Sequence, residues 1–421
     1  MLSLTLLCLP VCSLPQAPPI DPTEIRVVDL QAHIGFLASD ELEGRESGEQ
    51  GGHLAANYFA KQWQRLGLLP LGGDGQGTHE IEDYLLPFET RGYDCFNTAG
   101  YLPGTDPELA NSYMVIGGHH DHAGVGGPGA MGFPGEIHNG ADDNASGSSG
   151  VAELAEWYVE HPLRRPIVFM TFSAEERGLL GSRAFVKQEI IPTEEMFAMI
   201  NCDMIGRSVD GYLYIGGLGT ADEFHPLLDQ LFEECELNLE LGDAGEAPSD
   251  NTSFYNAGVP ALFFFTNIHE DYHMPGDDIE KINFRGEVEI LELIRDVTDI
   301  LDTHNDALSF HKSPGMAMPA DFNQKMMEHY VGISKRNSMR GKLGVSIESA
   351  EGGLKVTRVR ENSAADGAGL QTGDLITNVN SREVNSSADL RRAMGGLLRG
   401  EEISLSYSRE GEESSVTIEL G

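Results

Sequence analysis

The chain has 421 residues, with 28 Lys and Arg against 67 Asp and Glu, for a formal net charge of −39. At 40% hydrophobic and 23% charged residues it has the material of about two or three folded domains, which excludes wholesale disorder. The acidic balance excludes a nucleic-acid binder, whose mark is a basic patch, and a polybasic membrane-surface protein. The excess is uneven: residues 340–421 are nearly neutral, and no Lys or Arg occurs between Ser208 and Glu280, where 16 Asp and Glu stand. Such a field attracts cations and amines, and serves equally well as a solvated surface.

In chain order, residues 2–12 (LSLTLLCLPVC) form an apolar run of signal-peptide length, too short to cross a membrane. Residues 1–18 are read as a leader and the protein as exported, to a periplasm or an extracellular medium. Cys12 is a poor site for a lipid anchor, because Val11 precedes it where a small residue is expected. No other segment reaches transmembrane length. Three cysteines remain beyond the leader, Cys95, Cys202 and Cys235, which is no disulfide framework. Ile25–Leu69 has helical periodicity broken by the turn GRESGEQGG. Apolar β-type runs follow at Tyr113–Ile116, Ile167–Phe172, Phe197–Ile200 and Val259–Phe265, and helical patterns at Gly150–Glu160, Phe224–Cys235 and Glu287–Asp302. This alternation predicts an α/β domain over 19–310, with a mostly parallel central sheet flanked by helices. Residues 311–339 read as a linker or peripheral helix, and a texture of short strands with one helix sets off 340–421.

Each of the four β-type runs leads into polar residues of metal-ligand type: His119-His120-Asp121-His122, Glu175-Glu176, Asp203, and Asp271-Tyr272-His273. A fifth element, NGADDNASG, places Asp142 and Asp143 just ahead of a helix. Ligands in open α/β sheets bind beyond the carboxyl ends of strands, so all five elements are expected on one rim. Carboxylates clustered without cationic partners repel one another. Divalent metal removes that conflict, and a mixed His and carboxylate set suits zinc, with Co2+ or Mn2+ as substitutes. Two metals need a bridging carboxylate, and a further carboxylate outside the ligand set must act as base. The Glu175-Glu176 pair can supply one of each.

GGHHDH, NGADDNASG, FSAEERGLLGS, NCDMIGR and DYHMPGDD resemble the successive motifs of the secreted co-catalytic di-zinc aminopeptidases. Their superfamily includes glutaminyl cyclases and the transferrin receptor ectodomain. The resemblance extends over roughly residues 30–300 and implies a zinc-dependent exopeptidase fold with two Zn2+ per chain, acting on peptides with a free N-terminus. It implies that His119 and Asp203 hold one zinc, Glu176 and His273 the other, and that Asp143 bridges them, its link to Asn144 being a cis peptide in relatives. By the same resemblance Glu175 is the general base and Asp121 steers the His119 ring. Asn251 stands where the family commonly has histidine, which bears on the substrate pocket and leaves the metal set intact.

Other polar residues have plainer readings. His120 and His122 flank the ligand histidine, and His138 and His269 are commoner as ordinary loop histidines. Asp142 reads as a turn or helix-start residue, Cys202 as packed core. Ser146 and Ser148 lack the GxSxG or Walker context that would make them catalytic or phosphate-binding. Asn144-Ala-Ser146 matches a glycosylation sequon, but a glycan there would block the rim.

Residues 340–421 resemble a PDZ domain of the bacterial protease-associated kind, through KLGVSI, SAADGAGLQTGDLITNVNSREV and SADLRRAM. The resemblance implies a small β-sandwich or partly open barrel with helices, which takes the C-terminus of a peptide or protein as an added strand. Leu343, Gly344 and Val345 would form the carboxylate loop, and Leu390 and Met394 the side-chain pocket. The rival activities are a glutaminyl cyclase-like acyltransferase, which in relatives uses a single zinc, and a non-catalytic scaffold working through its PDZ domain.

Overall fold

A computed structural model describes residues 23–72, 79–90, 92–127, 129–132, 135–395 and 397–421. The apolar run at 2–12 and Cys12 lie outside the described residues. Among those described, no helix is long and apolar enough to cross a membrane.

The chain opens with α1 (Val27–Leu37), α2 (Gln50–Arg65) and β1 (Leu69–Pro70), followed by β2 (Leu85–Thr90), β3 (Tyr93–Leu102) and β4 (Tyr113–His119). Next come α3 (Gly147–Glu160), β5 (Ile167–Phe172), α4 (Leu180–Gln188), β6 (Met196–Cys202), β7 (Tyr212–Gly216), α5 (Phe224–Glu234) and β8 (Asn238–Leu241). α6 (Asn251–Asn256), β9 (Ala261–Phe265), α7 (Phe284–Asp302) and α8 (Phe322–Asn337) complete the first unit. Its sheet runs β1-β3-β5-β4-β6-β9-β7-β8, with β2 paired to β3. The four central strands β5, β4, β6 and β9 are mutually parallel. Outer strands β3 and β7 join them antiparallel.

The central strands are buried on both faces, which explains their continuous apolar runs. Alternation sorts their side chains: Ile167 and Phe169 of β5 enter one core layer, Val168, Met170 and Phe172 the other. α7 covers the first layer with Ile290, Leu291, Ile294, Val297 and Leu301, a stripe at helical spacing. The Asn283 side chain starts this helix by accepting the Gly286 N–H at 3.2 Å. Glycine permits a close approach in the sheet: a Cβ on Gly118 of β4 would lie 2.6 Å from the Cys202 carbonyl oxygen of β6.

Glu287, in the first turn of α7, is fully buried with no hydrogen-bond partner at either carboxyl oxygen. Burial, then the charges of Asp142 and Glu153, hold its pKa well above the usual 4.5. A carboxyl with a raised folded-state pKa stabilises fully below its unfolded value, and the contribution is lost as pH rises toward the folded one. Wild-type stability is therefore expected to fall relative to Glu287→Gln as pH rises above the ordinary value of 4.5. Denaturation midpoints over that rise in pH check it; parallel curves for the two proteins would contradict it.

Residues 311–321, read as linker, are tied to the first unit by a bridge between Met316 and Glu246 and lead into α8, whose His329 Nε2 lies 2.7 Å from the Tyr272 carbonyl oxygen. Beyond α8 a second sheet has the order β10-β11-β12-β14-β15, with β13 on β12. Its strands are β10 (Val345–Ala350), β11 (Gly353–Val359), β12 (Leu375–Val379), β13 (Arg382–Glu383), β14 (Glu402–Arg409) and β15 (Glu412–Glu419), with helices α9 (Ala364–Gly367) and α10 (Ser387–Met394). This sheet surrounds its own core of Leu354, Val356, Ile376, Val379, Leu405 and Ile418. Arg392 of α10 reaches the first unit through Glu43 at 3.1 Å.

Candidate active site

The order of the sheet reverses at β4, which lies between β5 and β6, so β4 and its neighbours open a crevice at their carboxyl ends. His119 is the last residue of β4, which continues three residues past the apolar run at Tyr113–Ile116. Asp203 directly follows β6, Glu175 and Glu176 follow β5 by a short turn, and His273 sits on the loop after β9. Asp143 precedes α3 and forms a cis peptide bond with Asn144. Three non-glycine residues at this rim have left-handed backbone: Ala174 (φ 57°), Met204 (φ 52°) and His273 (φ 54°). Strain of this kind concentrates where side chains must be aimed.

The structure brings the six residues together. Asp143 turns one oxygen toward His119 Nε2, at 3.4 Å, and the other toward His273 Nε2, at 3.0 Å. Asp203 Oδ1 lies 3.5 Å from His119 Nε2, and Glu176 Oε2 lies 3.4 Å from His273 Nε2. Two imidazole–carboxylate clusters therefore share the Asp143 carboxylate. Glu175 Oε2 stands at 4.0 Å from His119 Nε2, the most distant carboxylate around that ring. His122 also joins the second cluster, its Nδ1 being 2.8 Å from Glu176 Oε1. Sequence reading gave His122 little weight, since its place beside a strand end says nothing of its direction.

The donor set fits divalent metal. His119, Glu175 and Asp203 form one group able to hold an ion, and His122, Asp143 and Glu176 another. Buried polar atoms there lack an aligned hydrogen bond, namely both ring nitrogens of His122 and Oε1 of Glu176, although His122 Nδ1 and Glu176 Oε1 are only 2.8 Å apart. Burial disfavours the His119 and His273 cations, yet the surrounding carboxylates win. Glu175 and Asp203 hold His119 well above its usual value, while Glu176 and Asp143 raise His273 to about 9. Metal must displace those protons, so zinc affinity is expected to rise with pH up to about 9, with proton release at pH 7.5. Calorimetry in two buffers of different ionisation enthalpy measures the release; none would contradict protonated rings.

Asp121 supports the site in two ways. Its backbone carbonyl, at 3.1 Å, faces Nδ1 of His119, whereas its carboxylate is 3.8 Å from that atom. The carboxylate instead accepts the Glu175 N–H at 3.1 Å and the Ser47 hydroxyl at 2.6 Å. Asp121 thus aims Glu175 more directly than His119. Around the clusters, Ser249 donates to Asp203 Oδ2 at 2.5 Å, and Asp277 accepts the N–H groups of Asp142 and Asp143 at 3.0 Å. Ligand supports of this sort fix orientation and basicity.

Burial, reinforced by the charges of Glu176, Asp250 and Asp203 and opposed by His119, pushes the Glu175 carboxyl well above its usual range. A raised value suits a general base working near neutrality.

The remaining residues are structural. His120 is buried against Thr171, 2.9 Å from its hydroxyl, and burial lowers its pKa to about 3. His138 is buried beside the Glu136 carbonyl, and His269 accepts from Arg207 at Nδ1 while its Nε2 faces Asp142. Asp142 receives the Gly206 N–H at 2.7 Å, as a turn residue does. Ser146 and Ser148 donate to carbonyls of the turn itself. Asn144 is buried with its amide on Cys202, out of reach of glycosylation, and Asn251 donates to Gly245. Cys202 is buried with its thiol pKa raised by desolvation, as a core residue.

A cavity of about 260 Å³ opens on the clusters. His119, Asp143, Glu175, Glu176, Asp203 and His273 form its polar floor, and Phe263, Phe265, Ile268 and Phe322 stand among its apolar walls.

Two imidazole–carboxylate clusters that share Asp143 thus stand at the carboxyl edge of a mostly parallel α/β sheet. Residues 97–298 match Peptidase family M28 and residues 341–420 the PDZ domain. The two matches follow one another along the chain and together leave residues 299–340 between them. The chain is 29% identical over 199 residues to "Leucine aminopeptidase 1" of Ajellomyces dermatitidis, covering 43% of this chain and 50% of the relative. The protein of the same name from Trichoderma harzianum is 31% identical over 189 residues, covering 41% and 46%. The chain thus spans about half the length of these relatives. In fold it is similar to the LapA aminopeptidase of Legionella pneumophila, with a TM-score of 0.52 at 20% identity over 66% of this chain and 72% of that one. The zinc aminopeptidase BSAP of Bacillus subtilis gives 0.51 at 16% identity, over 72% and 100%.

Proposed function

We propose that the protein is an exported di-zinc aminopeptidase, which hydrolyses the first peptide bond of peptides with a free N-terminus. The observation that carries this reading is the sharing of Asp143 between two imidazole–carboxylate clusters, on the floor of a cavity with apolar walls. His119 and Asp203 would hold one zinc, Glu176 and His273 the other, with Asp143 between them and His122 beside the second. Zinc held there would supply Lewis acidity toward the scissile carbonyl and acidify a water.

The chain's own residues account for the rest. No Lys or Arg is among the described residues lining the cavity, so nothing there would clamp a substrate carboxylate, whereas the acidic floor suits an α-amino group. Glu175 takes the proton of the attacking water as its oxygen adds to the carbonyl carbon. When the C–N bond breaks, that proton passes to the leaving nitrogen. The Asp121 carboxylate, fixed by Ser47, keeps the Glu175 backbone in place for both transfers.

The second unit is read as a peptide C-terminus receptor. β10 pairs with β11 on one side and forms the edge of its sheet, leaving its other side for an added strand. Gly344 at its start has φ +85°, and a Cβ there would lie 2.3 Å from Ser363 Cβ, so the loop with Leu343 and Val345 requires glycine. Leu390 and Met394 of α10 pack partly buried on the same core. Export rests on the apolar run at 2–12.

Zinc-loaded protein assayed with aminoacyl amides and their N-acetylated forms tests the activity. Cleavage confined to the free amines is expected; equal cleavage of both forms, or of neither, would overturn the reading.

A further inference from the structure

The cavity is walled in part by residues from outside the matched peptidase domain. Met318 and Phe322 line it, yet they lie between the M28 match, ending at 298, and the PDZ match, starting at 341. They face Phe263 and Phe265, the β9 residues that alternation turns away from the main core. The Phe265 and Phe322 rings are 6.5 Å apart.

The segment carrying them is fastened on both sides of the pocket. The Ala317 N–H donates to the Glu246 carbonyl at 2.6 Å, and the Ala320 N–H to Glu240 at 2.7 Å. Asp321 accepts from the Asn267 amide at 2.7 Å, close to the pocket wall at Ile268. Ala317 is fully buried, and a Cβ on Gly216 would sit 2.8 Å from its methyl. Met318 is therefore held against the pocket on a seated backbone, and Phe322, the first residue of α8, is placed by its N–H bond to the Pro319 carbonyl at 3.1 Å.

We propose that Met318 and Phe322, from the segment joining the two domains, form the outer wall of the substrate side-chain pocket and set which N-terminal residues are accepted. The inference rests on the aminopeptidase reading above. Both side chains are apolar and half-buried, so a large apolar N-terminal side chain completes their burial, while a small one leaves the contact unmade.

The test compares kcat/KM for the 4-nitroanilides of Ala, Leu, Phe and Trp, with full-length zinc-loaded wild type, Met318→Ala, Phe322→Ala and Met318→Trp. The two alanine variants are expected to lower the Leu-to-Ala ratio at least ~10-fold, the scale of a lost apolar contact in a specificity pocket. Met318→Trp, which fills the pocket, is expected to lower Leu, Phe and Trp relative to Ala. Zinc content and thermal midpoint report folding, and the filling variant keeps the test decisive if Phe322→Ala does not fold. Leu-to-Ala ratios within about twofold of wild type in every folded variant would overturn the inference. A wild type that cleaves none of the four substrates would instead overturn the aminopeptidase reading.

Discussion

Glu175→Gln is expected to lose at least ~100-fold in turnover while binding as much zinc as wild type. The expectation follows from position as much as from chemistry. Glu175 stands 4.0 Å from His119 Nε2, while Asp143 and Asp203 approach that nitrogen at 3.4 and 3.5 Å, so with His119 these two carboxylates are expected to retain the metal when Glu175 is replaced. Its carboxyl lies in the cavity, with a pKa raised first by burial and then by neighbouring carboxylates. Its backbone is fixed by the Asp121 carboxylate and by N–H groups of Gly178 and Leu179 donating to its carbonyl at 2.8 and 2.9 Å. Glutamine keeps the size and these contacts but cannot take a proton. Elemental analysis and single-turnover rates on the same preparation check this; a metal-replete variant with wild-type turnover would remove Glu175 from the mechanism.

Arg45→Met is expected to cost about 3 kcal/mol or more of folding stability and to weaken zinc binding. Arg45 is completely buried. Its guanidinium donates to the carbonyls of Leu37 and Asn139 at 2.6 Å, His120 at 2.8 Å and Gly140 at 3.0 Å. Burial lowers its pKa to about 10, against the raising effect of Asp143, Asp121, Asp277 and Glu176, so it remains charged at neutral pH. Methionine fills much of the volume but leaves four carbonyl oxygens without these donors, each costing roughly 1–3 kcal/mol before relaxation. Two of those carbonyls belong to the turn that delivers Asp142 and Asp143, and a third follows His119. Slack in them reaches both ligand clusters. Denaturant midpoints and zinc titrations measure both effects; an unchanged midpoint would contradict the account.

The grouping of the candidate site residues was readable because their signals are local and redundant. Four of the elements sit at the ends of apolar runs of buried-strand type and the fifth, Asp143, just ahead of a helix, so all five converge on one rim whichever way the outer strands pair. The supports were not readable in this way. Arg45 and Ser47 lie in the polar turn GRESGEQGG, which reads as exposed, and only the packed structure shows the arginine beneath the ligand loop. His122 looks the same in sequence as His120, yet one faces Glu176 and the other Thr171, a difference set by how the chain leaves β4. The role of Asp121 divides between backbone and side chain, which no residue letter encodes. Strands β3 and β7 went unread because they pair antiparallel at the sheet's flanks, with mixed side chains. Residues 311–321 carry too little periodicity to reveal a seated segment. Backbone bonds and one buried alanine hold it there, and neither leaves a pattern in the sequence.

The central claim is that one aspartate joins two metal sites. Elemental analysis of zinc-saturated, extensively dialysed protein tests it most directly. Two zinc ions per chain are expected. One ion per chain would contradict the shared-carboxylate centre and favour cyclase-like acyl transfer, and none would leave the PDZ domain as the working part of the molecule.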